Sequence, residues 1–154
     1  MTDEHAPLPP SGLFRGRLHL FPVRVYYEDT DLTGIVYHAN YLRWFERARS
    51  DMLRLLGIDQ RAAVEAGDGH YAVAELHIRY LAPARLDDAL VIASEATELR
   101  SASVRLHQQA LRDGNLLAEA AVRVGFISPD GRPRRQPVTW RAAFDPLLSA
   151  KDPA

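Results

Sequence analysis

The chain has 154 residues, a formal net charge of −1 and no cysteine, with 47% hydrophobic and 25% charged residues. The length suits one domain with a substantial core, and the composition is that of an ordinary soluble globular protein. The near-zero charge gives no global electrostatic case for nucleic acid or anionic membrane, and the missing cysteine excludes disulfides, thiolate metal sites and a cysteine nucleophile.

Residues 1–17 hold three prolines and two glycines and read as a flexible N-terminal tail, with any order confined to Leu13 and Phe14. No apolar run approaches the ~20 residues of a membrane span, and the acidic, proline-bearing start does not read as a signal peptide. Residues 18–26 read as a strand carrying Leu18, Leu20, Val23 and Val25, with Pro22 marking a sheet edge or a bulge. A polar loop follows, and then the longest helix signal in the chain. Tyr41, Trp44, Phe45, Ala48, Met52, Leu55 and Leu56 recur at helical spacing and form one apolar stripe. Asn40 is the expected N-cap and Gly57 the expected stop. Residues 59–66 read as a short second helix, ended by Gly67-Asp68-Gly69.

After His70 the period changes from 3.6 to 2. Ala74, Leu76, Ile78 and Tyr80 alternate with Glu75, His77 and Arg79, which predicts a half-buried strand. Further strands are predicted over 89–99, 103–111 and 116–128, the last two joined through the turn residues Asp113-Gly114-Asn115. Residues 138–148 read as a short terminal helix containing Trp140, Phe144, Leu147 and Leu148. One domain is therefore expected over 18–148, with a C-terminal tail over 149–154. The order of strand, long helix and several antiparallel strands fits an α+β hotdog fold, a sheet wrapped around one long central helix. Such a sheet buries its remaining apolar surface by pairing with another copy, so a homo-oligomer is expected, a dimer or a homotetramer.

The run Tyr27-Glu28-Asp29-Thr30-Asp31-Leu32-Thr33-Gly34-Ile35-Val36-Tyr37-His38-Ala39-Asn40-Tyr41-Leu42-Arg43-Trp44-Phe45-Glu46-Arg47-Ala48-Arg49 closely resembles the 4-hydroxybenzoyl-CoA thioesterase family. Within it, the chain is most similar to the acyl-CoA thioesterases associated with the Tol-Pal cell-envelope system. The resemblance covers about residues 23–144, including the corner Pro129-Asp130-Gly131-Arg132-Pro133. It implies a cytoplasmic enzyme that hydrolyses acyl-CoA thioesters with neither a metal nor another cofactor. It puts the catalytic carboxylate on Asp31 and the branch's histidine on His38. Leu32-Thr33 stands where many members carry a small pair before the glycine.

Thioester hydrolysis needs an activated water or a carboxylate nucleophile, and donors for the developing oxyanion. Asp31 is the candidate carboxylate, as nucleophile or as general base; its structural alternative is to cap the following turn. The helix dipole is expected to lower its pKa. Backbone N–H groups near His38 and Ala39 are the candidate oxyanion donors, and His38 would orient the substrate or polarise its carbonyl. Tyr37, Ala39, Asn40 and Trp44 are candidate substrate-binding residues. Arg134 and Arg135 are candidates for the CoA phosphates, because arginine forks match phosphate geometry. Glu46, on the helix, is a rival carboxylate more simply read as a surface charge. Asp29 is read as a loop or interface residue, since no third ligand stands at metal-site spacing. The competing functions are a catalytically silent acyl-CoA-binding scaffold of the cell envelope and a hotdog hydratase.

Overall fold

The structure is a computed structural model and describes residues 5–148. The expected 149–154 tail lies outside the described residues. Six strands, β1 (Leu13–Arg15), β2 (Leu18–Arg24), β3 (His70–Tyr80), β4 (Ala89–Leu99), β5 (Ser103–Arg112) and β6 (Asn115–Ile127), form one sheet in the order β1-β2-β4-β5-β6-β3. Every neighbouring pair is antiparallel. The helices are α1 (Asn40–Leu55), α2 (Gln60–Glu65) and α3 (Val138–Phe144). This is the hotdog architecture expected from the order of periodicities.

Helix α1 lies against one face of the sheet. Its stripe of Tyr41, Trp44, Phe45, Ala48 and Met52 is buried with Phe21 and Val23 of β2, Leu90 and Ile92 of β4, Val104 and Leu106 of β5, and Val122 and Val124 of β6. Each fully buried large apolar side chain contributes about 1.5–3 kcal/mol, so the stripe seats the helix. The helix ends as its sequence predicts. Gly57 adopts φ +78°, its amide bonds the Arg54 carbonyl, and the Ile58 amide bonds the Leu53 carbonyl at 2.9 Å. This pairing satisfies carbonyls that the last turn would otherwise leave open. At the start of α2, Asp59 caps the Ala62 amide. The β5–β6 hairpin turns through Asp113 and Gly114, both at positive φ, as a two-residue loop demands.

Two expectations are corrected. The first concerns the N-terminal tail of residues 1–17. Leu13–Arg15 pairs with Leu18–Leu20 as β1, and Ser11 and Gly12 are bonded to Asp51 of α1. Order thus begins well before residue 18. The cause is a buried carboxylate that collects donors from this segment. The second concerns β3, which is less buried than its alternation implies. Val73, Leu76 and Tyr80 are exposed, and a register shift between Val73 and Glu75 interrupts the alternation. The strand forms one edge of the sheet and, among the described residues, has no neighbour on its outer side. Pro22 is tolerated in β2 because β1 pairs only as far as Leu20, leaving that side of the strand open.

Candidate functional site

The segment between β2 and α1 is built from short-range rules. Tyr27–Asp29 forms a single 3-10 turn. Thr30 then pairs with Val36 across a tight reversal through Asp31-Leu32-Thr33-Gly34. The Gly34 amide bonds the Asp31 carbonyl at 3.0 Å, and Gly34 sits at φ +82°, which only glycine adopts at little cost. The reversal is fastened to the β3–β4 connection. Ile35 bridges Arg85, and the Val36 amide bonds the Ala84 carbonyl.

Asp31 stands exposed at this reversal. Its Oδ1 accepts the Thr33 hydroxyl at 2.5 Å and the Thr33 amide at 2.8 Å. These two bonds, the hydroxyl first, hold the carboxyl below the ordinary aspartate range; desolvation opposes them weakly and the nearby His38 assists. The group is therefore ionised at neutral pH. The direction matches the expectation from the helix dipole, but the main cause is Thr33. Asp31 also forms the turn contact that was its structural alternative, through Oδ1 alone. Its Oδ2 bonds no other described residue and is free to act. Asp31, Tyr27, Leu32 and Leu86 line an open groove, with Leu32 fully exposed at its rim.

His38 is exposed and packs edge-on against Tyr37, with ring centroids 4.6 Å apart, and against Tyr80 at 6.2 Å. Tyr80 donates its hydroxyl to the His38 carbonyl at 2.7 Å. The Asn40 amide bonds the Tyr37 carbonyl. The amides of His38 and Ala39 donate to no described residue, so two N–H groups are available where α1 begins.

Asn40 does not act as the N-cap. Ala39 flanks the helix without a side-chain cap, and Asn40 lies within the first turn, buried. Its Nδ2 donates to Asp29 Oδ1 at 2.7 Å, while Asp29 Oδ2 accepts the Tyr26 amide at 2.7 Å. The buried Asp29 carboxylate outcompetes a capping role, because leaving it unbonded in the core would be costly. Trp44 is a core residue, stacked edge-on on Tyr41 at 5.1 Å. The Arg134 guanidinium bonds the Gly67 and Asp68 carbonyls at 3.2 and 2.8 Å, pinning the loop before β3. Arg135 is exposed. Neither arginine lines the Asp31 groove: Arg134 holds the start of β3, whereas His38 is bonded to Tyr80 at its end.

Three contributors escaped the sequence reading. Thr33 had a local signal, the Asp-x-Thr spacing that favours a side-chain turn. Tyr80 had none, being 42 residues from His38. The third is Gln108, buried on the apolar face of β5, which binds Arg49. Among the described residues no group of three or more His, Asp or Glu is arranged to hold a metal, and no helix is long and apolar enough to cross a membrane.

The family model of the thioesterase-like superfamily matches residues 25–148. An acyl-CoA thioesterase of Haemophilus influenzae, YbgC, is 41% identical over 128 residues, spanning 82% of this chain and 94% of its own. A probable thioesterase from Bartonella henselae superposes with a TM-score of 0.74 at 36% identity, covering 78% of this chain and 99% of its own. A mutant 4-hydroxybenzoyl-CoA thioesterase solved with 4-hydroxybenzoyl-CoA shares the fold, with a TM-score of 0.75 at 24% identity, over 82% of this chain and 98% of its own. With this architecture, motif and set of relatives, the chain belongs to the thioesterase-like superfamily and, within it, to the hotdog-fold acyl-CoA thioesterases.

Proposed function

We propose that this protein hydrolyses acyl-CoA thioesters to a free acid and CoA, with Asp31 as the essential carboxylate. One observation carries the reading: Asp31 is exposed and ionised with one oxygen free, His38 lies near enough to help lower its pKa, and the amides of His38 and Ala39 at the start of α1 donate to no described residue. As general base, Asp31 takes a proton from water, and the water oxygen attacks the acyl carbonyl carbon. The amides stabilise the negative charge on the carbonyl oxygen; one such donor is worth about 2.7–4 kcal/mol in a transition state. The C–S bond then breaks, and the CoA thiolate takes up a proton. His38, near enough to Asp31 to act on its ionisation, orients the thioester.

The active form is a homo-oligomer paired through β3, whose free edge and exposed Val73, Leu76 and Tyr80 call for a partner strand. Acting on CoA esters, the enzyme is expected in the cytoplasm. The reading is tested by thiol release from an acyl-CoA panel with wild type and Asp31→Asn. The variant is expected to keep its fold, since the side chain is exposed, and to lose roughly 10²–10⁴-fold in kcat. Wild-type turnover by Asp31→Asn overturns the reading. Tight binding of CoA esters without turnover at any chain length favours a silent binding protein, and hydration of an enoyl-CoA favours a hydratase.

A further inference from the structure

Tyr80 makes a bond that has no part in the mechanism above. Its hydroxyl donates to the His38 carbonyl at 2.7 Å, across 42 residues of chain. The ring is held on two sides. It lies edge-on to Tyr41, with ring centroids 5.5 Å apart, and to His38 at 6.2 Å, and Tyr41 is buried at the start of α1. The strand behind it is fixed as well. Tyr80 pairs with Ala118 of β6, and the next two amides, of Leu81 and Ala82, bond the Leu117 carbonyl. Burial raises the Tyr80 phenol above its ordinary value, so it stays protonated and donating at neutral pH. Both ends of the bond lie in one chain, so it needs nothing from a second copy.

The acceptor decides what the bond can do. The His38 carbonyl and the Ala39 N–H belong to one peptide unit. That unit is planar and trans, so its oxygen and its hydrogen point in opposite directions. A phenol gripping the oxygen therefore fixes the direction of the N–H. The unit is the middle one of the turn closed by the Asn40 amide on the Tyr37 carbonyl at 2.8 Å, so the turn's own bond does not hold it. The helix does not hold it either, because the Leu42 amide bonds the Ala39 carbonyl at 3.2 Å rather than the His38 carbonyl. A bond to the oxygen also polarises the N–H of the same unit and strengthens the bond it donates by about 10–30%.

We infer that Tyr80 is a positioning residue: through the His38 carbonyl it aims and strengthens the Ala39 N–H as an oxyanion donor. The inference rests on the proposed function, in which that N–H receives the charge on the acyl carbonyl oxygen. Tyr80 itself gives up no proton and meets no substrate atom. One oxyanion donor is worth about 10²–10³ in kcat, and a tenth to a third of that in free energy is about two- to eightfold.

Tyr80→Phe keeps the ring and deletes only the donor. With the acyl-CoA that the wild type hydrolyses fastest, the variant is expected to lose about two- to eightfold in kcat at unchanged KM. The direct readout is the infrared carbonyl stretch of that ester, labelled with carbon-13 at its carbonyl and bound to Asp31→Asn, where turnover is slowed. Adding Tyr80→Phe is expected to move the band to higher wavenumber, since a weaker donor leaves the C=O bond less polarised. A 3-fluorotyrosine placed at position 80 alone is a stronger acid and a stronger donor, and is expected to move the band to lower wavenumber. Packing alone would not move the band in opposite directions in two rings of nearly equal size. Should Tyr80→Phe fail to fold, the fluorotyrosine protein decides. A band that stays in place, or a wild-type kcat in a folded Tyr80→Phe, overturns the inference alone when Asp31→Asn is inactive. Wild-type turnover by Asp31→Asn instead overturns the proposed function, and this inference with it.

Discussion

Asn40 donates its side-chain amide to the buried carboxylate of Asp29 at 2.7 Å, and this one bond ties the start of the central helix to the turn that presents Asp31. The Asp29 backbone carbonyl also accepts the Tyr37 amide, so the segment is gripped at both ends. Asn40→Ala leaves Asp29 with an unmet acceptor in the core and is expected to cost about 1–3 kcal/mol. Urea unfolding reads the loss as a lower midpoint at unchanged slope. An unchanged midpoint would mean that the bond carries no weight.

Thr33 sets the ionisation of Asp31. Removing its hydroxyl in Thr33→Val deletes the strongest bond to the charged form, so the Asp31 pKa rises. The acid limb of the kcat profile is then expected to move to higher pH. Turnover near pH 7.5 stays close to wild type, because even an ordinary aspartate, at ~3.9, is ionised there. An acid limb that stays in place would separate Thr33 from the catalytic group.

A second carboxylate governs stability rather than chemistry. Burial alone would raise the Asp51 carboxyl, but bonds from His19 Nε2 at 2.7 Å, the Gly12 amide at 2.9 Å and the Ser11 hydroxyl at 2.9 Å outweigh it and hold the group below its ordinary value. A depressed carboxylate stabilises the fold above its unfolded pKa of ~3.9, and that contribution is lost as pH falls through the folded value. Asp51→Ala leaves the Gly12 amide, the Ser11 hydroxyl and the His19 ring without their partner and is expected to cost about 1–3 kcal/mol at pH 7. Unfolding measured from pH 7 down to pH 2.5 should show its gap from wild type narrowing below pH ~3.9. A constant gap would detach the cost from ionisation.

Leu76 lies exposed near the middle of β3, at the edge where a second copy is proposed to pair. Antiparallel self-pairing centred on β3 would bring the two Leu76 side chains near the twofold axis. Leu76→Arg sets like charges together there, which opposes pairing. Light scattering is expected to show a smaller species than wild type. An unchanged assembly would move the interface elsewhere.

The elements themselves were written in local spacing. The 3.6-residue stripe of α1, the alternation along β5 and β6, the Asp113-Gly114 turn and the Gly57 stop each arise from neighbours in the chain, so their patterns show in the letters. The reversal around Asp31 is of the same kind, since a glycine at positive φ and an aspartate two residues before a threonine act over three or four positions. The exposure of β3 was hidden, because alternation reports which side chains share a face and not whether anything covers it. The bonds of Asn40 to Asp29, Tyr80 to His38, Arg49 to Gln108 and Ser11 to Asp51 were equally hidden. They join positions 11, 42, 59 and 40 residues apart. Such pairs meet only after the sheet has folded over the helix, and which polar groups then face one another depends on packing in three dimensions, where hydrogen-bond geometry selects partners within a few tenths of an ångström.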